Sequence, residues 1–365
     1  MENKDKKKIL FISRAFPNPP KTGGLEKYNF ELARSLEKQV NVRIISNKHG
    51  KSFLPIFLPI AFLKSCYLIL TQKFDLVVLG DALLSPLGLI LKLVKPKQKI
   101  YSIVVGLDIT YNFPLYTQIV SCCLNRLDKV IVISRSTKKK CVERGVEPKK
   151  IVIIPPGLDI NEFKTNKTKQ ELKEIIEKKF NLNLKNKKVL LTIGRLVKRK
   201  GHEWFIRSVA PKLNKDTIYL IAGTGEEKEN IERAINQNKL SNSVYILGWI
   251  AEEMKKYLLN YADLFIMPNI KVRGDMEGFG IVALEASSVG LPVIAAKLEG
   301  IKDVVKKDKN GILLKAEKTD EFIKSIKFLI ENKNRLKELS NDAREYAKRF
   351  EWENIAKKYL ELVSI

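Results

Sequence analysis

Short apolar runs alternate with helix-period segments along most of this chain. KILFIS (8–13), VRIISN (42–47), DLVVLG (75–80), KIYSIVV (99–105), KVIVIS (129–134) and KIVIIPPG (150–157) have the length and β-branched content of buried strands. Between them lie stretches such as LEKYNFELARSLEKQ (25–39), where apolar positions recur at helical spacing. The chain turns polar and lysine-rich over 161–187. The alternation then restarts with KVLLTIGRL (188–196), TIYLIAGTG (217–225), SVYILGW (243–249), ADLFIMP (262–268) and PVIAA (292–296). A helix rich in Glu and Lys, with Tyr346, Phe350, Trp352 and Tyr359, closes the chain.

Strands alternating with helices predict parallel sheets. The restart of the pattern predicts an α/β protein of two Rossmann-like domains joined near 161–187, and 365 residues are too many for one ordinary core. In such domains ligands sit beyond the carboxyl ends of the strands, so two facing domains share one cleft. One stretch departs from the alternation. FLPIFLPIAFLKSCYLIL (53–70) has 18 residues and one charge, enough apolar length for a membrane span. Pro55 and Pro59 predict a break in its first half, followed by an amphipathic or buried helix, with lipid contact left open.

Charge changes the picture modestly. The sequence has 67 Lys and Arg against 41 Asp and Glu, a net charge of +26, and residues 1–160 hold 27 basic and 12 acidic residues. Such a balance favours anionic partners: nucleic acid, phosphorylated ligands or an anionic membrane surface. Yet 53 of the 67 are Lys, spread as solvated helix faces, which accounts for an excess without any partner. Aromatic residues are not interleaved with the basic clusters as base stacking requires, so no nucleic-acid partner is expected. Cys66, Cys122, Cys123 and Cys141 show no C-x-x-C spacing, and only His49 and His202 join them. No metal site is expected; the thiols read as reduced in a cytoplasmic protein, and both histidines as surface residues. The basic start MENKDKKKILFIS has an apolar run only from Ile9 to Ile12, too short for a signal peptide.

Three stretches carry candidate chemistry. In EGFGIVALEASSVGLPVIAA (277–296), Gly278, Phe279 and Gly280 precede a helix-period run. Glycines let the backbone approach a ligand, and the first N–H groups of a helix offer an anion site. Glu285 lies among Leu284 and Ala286, where a carboxylate needs a partner; a vicinal diol, as in ribose, supplies two hydrogen bonds. Glu277 precedes the turn and reaches another part of the same ligand. In TIGRLVKRKG (192–201), Arg195 offers a planar fork and Lys200 a point charge, a pair suited to a diphosphate at a strand end. In KTGGLEKYNFELARSL (21–36), Gly23 and Gly24 precede a helix. Other phosphate motifs fail. There is no G-x-x-x-x-G-K-[ST] loop, Gly223-Thr224-Gly225 lacks the third glycine of G-x-G-x-x-G, and no D-x-D pair offers a metal clamp.

Together these stretches resemble the retaining group 1 (family 4) glycosyltransferases of the GT-B fold. The resemblance rests on the E-x7-E pattern from Glu277 to Glu285, on GRLVKRKG, on VIVISRSTKKKCVERGV…KIVIIPPGLDINEF (130–163) and on the GG loop. It implies an acceptor-binding domain over 1–165, to which a C-terminal helix at about 347–365 returns, and a nucleotide-sugar domain over 185–346. It also implies that Glu285 binds the ribose hydroxyls and that Glu277 lies beside the donor sugar. The backbone of Gly278, Phe279, Gly280 and Ile281 then touches sugar and phosphate, Arg195 and Lys200 hold the diphosphate, and Ile250 meets the base. Gly23 and Gly24 close over phosphate and acceptor, and Asp108 lies near the acceptor and sugar. Many family members have His where Val105 stands.

The resemblance implies a metal-independent enzyme, with a UDP- or GDP-linked sugar as substrate and no cofactor. The acceptor is expected to be lipid-linked or a glycan, and the protein peripheral on the inner face of the cytoplasmic membrane. A nucleotide-sugar epimerase or a sugar-phosphate synthase of the same fold is the enzymatic alternative. A non-catalytic basic binding module is the other.

Overall fold

The computed structural model describes residues 7–17, 23–110 and 113–364. The chain divides into two compact units, Met1–Gly157 with Phe350–Ile365, and Leu158–Arg349.

The first unit is built on six parallel strands: β1 (Lys8–Ser13), β2 (Asn41–Ser46), β3 (Leu76–Leu79), β4 (Ile100–Val104), β5 (Lys129–Val132) and β6 (Ile151–Ile153), in the order β2-β1-β3-β4-β5-β6. Ile9 to Ile12, Leu76 to Leu79 and Val130 to Val132 are fully buried, as strands covered by helices on both faces must be. The strand order reverses between β1 and β3, where Leu10 pairs with Val77. That is the topological switch point, beyond which such sheets leave a crevice.

The helix Trp352–Ser364 completes this unit. Tyr359 is fully buried, and its hydroxyl lies 2.8 Å from that of Tyr28 on the helix Gly24–Glu37. Trp352 meets the Tyr28 ring edge-on at 5.6 Å between centroids. The chain therefore ends in three helices, Thr319–Glu331, Lys333–Lys348 and Trp352–Ser364, of which only the last belongs to the first unit.

The second unit repeats the plan with β7 (Lys188–Ile193), β8 (Thr217–Ala222), β9 (Val244–Gly248), β10 (Leu264–Met267), β11 (Val293–Ala296) and β12 (Gly311–Leu314), in the order β12-β11-β10-β7-β8-β9. All its pairings are parallel. Its switch point lies between β7 and β10, where Leu190 pairs with Leu264.

Three expectations are corrected. The two prolines do not break 53–70, because one helix runs from Leu54 to Thr71. Pro55 stands in the first turn, where an N–H has no helical acceptor, and Pro59 removes a single hydrogen bond. The polar stretch 161–187 is not a joint. It holds the helix Lys169–Phe180, started by a Thr168–Glu171 capping box, with Leu172 and Ile176 buried in the second unit. The chain passes between units at Gly157–Leu158 instead. A twelfth strand, β12, is added at the edge of the second sheet.

Candidate functional site

The sequence-singled residues fall into two groups. Arg195, Lys200, Ile250, Glu277, Gly278 to Ile281 and Glu285 belong to the second unit; Gly23, Gly24 and Asp108 belong to the first.

In the second unit, β7 leads into Gly194, Arg195 and then a single 3-10 turn, Lys198–Lys200. β10 leads into Asn269 and the loop that ends at Glu277. Because β7 and β10 are neighbours, both segments emerge at the switch point. There the Lys200 Nζ lies 2.6 Å from Glu277 Oε2. The same oxygen has Arg199 Nε at 3.6 Å and Asn269 Nδ2 at 3.4 Å. Burial pushes the Glu277 carboxyl up, but Lys200 and then Arg199 outweigh it and hold the group below its ordinary value.

Four residues missed in the sequence complete this cluster: Asn269, Arg199, Asp275 and Glu299. Arg199 Nη1 donates to both Asp275 oxygens, at 3.0 and 2.9 Å. Its carbonyl accepts from Ile270 N–H at 3.0 Å, which ties the turn to the β10 loop. Glu299 accepts the backbone N–H of Glu277 at 2.6 Å while Gly300 N–H donates to the Glu277 carbonyl at 3.1 Å. Glu299 adopts φ of 41°, a left-handed conformation unfavourable for a residue with a Cβ. Burial raises its carboxyl, and the nearby Glu277 and Asp275 charges add to this. Glu277 is thus fixed by its main chain and by one carboxylate oxygen, and Oε1 carries none of these contacts.

Gly280 follows at the N-cap of the helix Ile281–Ser288, with φ of 83° and no capping side chain. A side chain at this φ is strained, and the first N–H groups of a helix have no acceptor within it. Five residues into the helix, Glu285 is 5% exposed. Its partner is Lys255, whose Nζ lies 2.8 Å from Glu285 Oε2 and 4.8 Å above the Phe163 ring. Lys255 stands on the helix Glu252–Tyr261, which follows directly on β9 and Ile250. Arg195 is exposed, with no ion-pair partner among the described residues. Asn269 Oδ1 is buried without a hydrogen-bond partner among the described residues.

In the first unit the placements are less open. Gly23 caps the helix Gly24–Glu37 in an extended conformation, and a Cβ there would meet the Glu26 carboxylate at 2.5 Å. Lys21 and Thr22 of the same loop lie outside the described residues. Asp108 turns its carboxylate onto the backbone, accepting from Gly106 N–H at 2.8 Å, Val105 N–H at 3.1 Å and Ala82 N–H at 3.2 Å. These bonds brace the loop after β4. The polar pair at this switch point is one the sequence did not offer: Arg14 after β1 and Asp81 after β3, 2.7 Å apart. His202 corrects the surface expectation. It is buried, 3.2 Å from the Tyr219 hydroxyl, and burial drives its pKa down to about 3.

Burial pushes Asp81 up to about 6, against the pull of Arg14 and with a further push from Asp108. Asp81 therefore binds its proton more tightly when folded, and its charged form opposes folding. Stability through this group falls as pH rises from about 4 to about 6. Relative to the parent chain, Asp81→Asn should gain about 1–3 kcal/mol between those pH values, read from urea midpoints. A difference that does not vary with pH would assign the titration to another group.

Sequence models of two protein families match this chain. The one described as glycosyl transferases group 1 covers residues 174–350, and the one described as glycosyltransferase family 4 covers residues 22–162. The chain is 29% identical over 211 residues to an Escherichia coli UDP-Gal:α-D-GlcNAc-diphosphoundecaprenol α-1,3-galactosyltransferase, covering 56% of this chain and 51% of that one. It is 28% identical over 248 residues to a GDP-mannose-dependent α-(1-6)-phosphatidylinositol monomannoside mannosyltransferase of Mycolicibacterium smegmatis, covering 66% of this chain and 63% of that one. Such matches span between about half and two thirds of the relatives' length. Among solved structures, Anabaena HepE, crystallised with UDP and glucose, superposes with a TM-score of 0.77 at 20% identity, over 98% of this chain and 99% of that one. With two parallel sheets of Rossmann type and both family models matched in order along the sequence, the chain belongs to the group 1 (family 4) glycosyltransferases and has their GT-B fold.

Proposed function

We propose that this chain moves a sugar from a nucleotide diphosphate-sugar to a hydroxyl of a lipid-linked or glycan acceptor, with retention at the anomeric carbon. The donor is GDP-mannose or a UDP-linked hexose or N-acetylhexosamine. The observation that carries this reading is the Lys200–Glu277 contact of 2.6 Å at the switch point, three residues before the uncapped helix start at Gly280. It joins a cation for a leaving phosphate to a carboxylate for a sugar.

The diphosphate then lies among Arg195, Lys200 and the N–H groups of Gly278 to Ile281. As the bond from the anomeric carbon to the phosphate oxygen breaks, its electron pair leaves on the β-phosphate. Preplaced cations and helix N–H groups stabilise that growing charge. The acceptor oxygen bonds to the anomeric carbon on the face the phosphate leaves, and its proton passes to a departing phosphate oxygen. Glu277 positions the sugar: its Oε2 is held by Lys200, and Oε1 is left for sugar hydroxyls. Asp275 and Glu299 stand nearby but are tied to Arg199 and to the Glu277 amide, so they brace the site. Glu285 accepts the ribose diol, and the backbone at Ile250 meets the base. With this positive charge in place the reading needs no metal. The two curated relatives, named for diphosphoundecaprenol-linked and phosphatidylinositol-linked substrates, support a lipid-linked acceptor.

The test is a thermal-shift panel of UDP, GDP, ADP and their sugars. A ligand at 100 times its Kd stabilises by about 2.7 kcal/mol, enough for a clear shift. A response to UDP or GDP over ADP is expected. No response to any nucleotide would overturn the reading.

A further inference from the structure

The helix Leu54–Thr71 has two apolar faces. One carries Phe57, Ala61, Leu68 and Ile69, all within the core of the first unit. The other carries Ile56, Ile60, Leu63, Tyr67 and Leu70, each more than half exposed. These five are spaced 4, 3, 4 and 3 residues apart, so they form one stripe down the helix. The helix is about 27 Å long at 1.5 Å per residue. By length and composition alone it would pass for a membrane span. Spanning would strip the core of its buried face, so the helix stays on the domain and offers only its outer stripe.

The stripe is not isolated. The helix Ser85–Val94 packs beside it, and Pro114–Arg126 packs beside that. These three helices and Phe113, just before the third, carry eleven of the sixteen large apolar residues that stand exposed among those described. Leu93, at 72%, is the most exposed of all. Single exposed apolar residues are ordinary, but a concentration of this kind marks an interaction surface. Its charge selects the occupant. Residues 38–127 hold eleven Lys or Arg against three carboxylates, Asp75, Asp81 and Asp108. Two of those three, Asp81 and Asp108, are buried. Exposed Lys64 stands on the striped helix itself, and exposed Lys73 and Lys97 follow closely in sequence on the ends of that helix and of Ser85–Val94. A second copy of the chain would set these lysines against lysines. An anionic lipid surface meets both features at once: lysines pair with headgroups, the stripe enters the acyl boundary, and Tyr67 takes the interfacial position that amphipathic aromatics favour.

We infer that the outer stripe of Leu54–Thr71, with the exposed apolar residues of its two neighbouring helices, docks this domain on an anionic lipid bilayer. The inference deepens the proposed function and rests on its lipid-linked acceptor for its purpose; the surface itself is tested without any acceptor.

The full chain is floated with vesicles of phosphatidylcholine alone and of phosphatidylcholine with phosphatidylglycerol, at low and high salt. Co-flotation with the anionic vesicles at low salt is expected, at least tenfold above the neutral ones. Leu63→Glu/Tyr67→Glu and, separately, Leu93→Glu should each reduce it tenfold or more. These side chains lie outside the core, so melting temperature and nucleotide response should be unchanged. A parent chain that stays with the soluble fraction overturns the inference, as does full vesicle binding by the folded double variant. A dimer seen by light scattering and abolished by that variant overturns it in favour of a second copy. Vesicle binding without any nucleotide response would leave this surface standing and overturn the proposed function alone.

Discussion

Lys200→Met should lower kcat by on the order of 10²- to 10³-fold, the loss typical of removing one preorganised group from a developing oxyanion. The diphosphate is anionic before the bond breaks and gains further charge as it leaves, so kcat should fall, kcat/KM should fall further, and donor affinity should weaken as well. Lys200 is 8% exposed and its ammonium is 2.6 Å from Glu277, so a purely supporting role for Glu277 must be separated. A double-mutant cycle with Glu277→Gln does this. If Lys200 acts only by holding Glu277, the double variant is no slower than the slower single one. If it also stabilises the leaving phosphate, the losses compound. The pH profile gives a second view. Lys200 and then Arg199 hold the Glu277 carboxyl down against burial, so without Lys200 its pKa rises and activity should decline at a higher pH on the acid limb. A kcat within threefold of the parent would remove Lys200 from the chemistry. Arg195→Ala should lose about 10²-fold by the same reasoning, with no ion pair among the described residues to confuse the result.

The part of this site legible in the sequence is the part whose signal is local. Glu277 and Glu285 stood out because carboxylates bracket a Gly-Phe-Gly turn and an apolar helix, where burial demands a partner. Lys200 stood out beside a strand end. Which partner each carboxylate takes is not a local property. Arg199 meets Asp275 across 76 residues, and only because the fold makes β7 and β10 neighbours. Lys255 reaches Glu285 from a helix that reads in sequence as one of many lysine-rich solvated faces. His202 was misread for a related reason. Its neighbours Arg199, Lys200, Gly201 and Glu203 suggest a surface turn, yet Gly201, at φ of 69°, swings the chain so that the imidazole enters the core beside Tyr219. Eleven strands were legible as apolar runs. β12 was not: it is four residues long, begins on a glycine, and follows the charged run KKDKN. Its place at the sheet edge, beside β11, supplies the pairing its own sequence does not announce. Pro55 misled because a first-turn proline costs almost nothing, and Pro59, inside the helix, because the burial of Phe57, Ala61, Leu68 and Ile69 offsets its local cost.

Glu285→Ala should weaken UDP or GDP binding by about 10²-fold, since a carboxylate accepting both hydroxyls of a diol makes two charge-assisted hydrogen bonds of about 1.5–3 kcal/mol each, partly offset by water. The same change leaves Lys255, beside the Phe163 ring, with only the more distant and exposed carboxylate of Glu252 at 3.6 Å. Breaking a buried ion pair from one side costs about 3–5 kcal/mol, and Lys255 retains 12% exposure, so the loss of folding stability should fall below that range. Weaker binding could then reflect a loosened fold, and a second variant resolves the two. Glu285→Ala/Lys255→Met removes both charges and keeps an unbranched apolar chain on the ring. Stability should return to near the parent value, while nucleotide affinity should stay low. A double variant that regains affinity would show that Glu285 supports the fold and does not touch the ribose. A double variant that stays unbound but folded would identify Glu285 as the diol's acceptor. Lys255 is then a cation that occupies the carboxylate before the nucleotide arrives. In that case Lys255→Met alone should bind nucleotide more tightly than the parent, because ribose no longer has to share Glu285 with an ammonium 2.8 Å away.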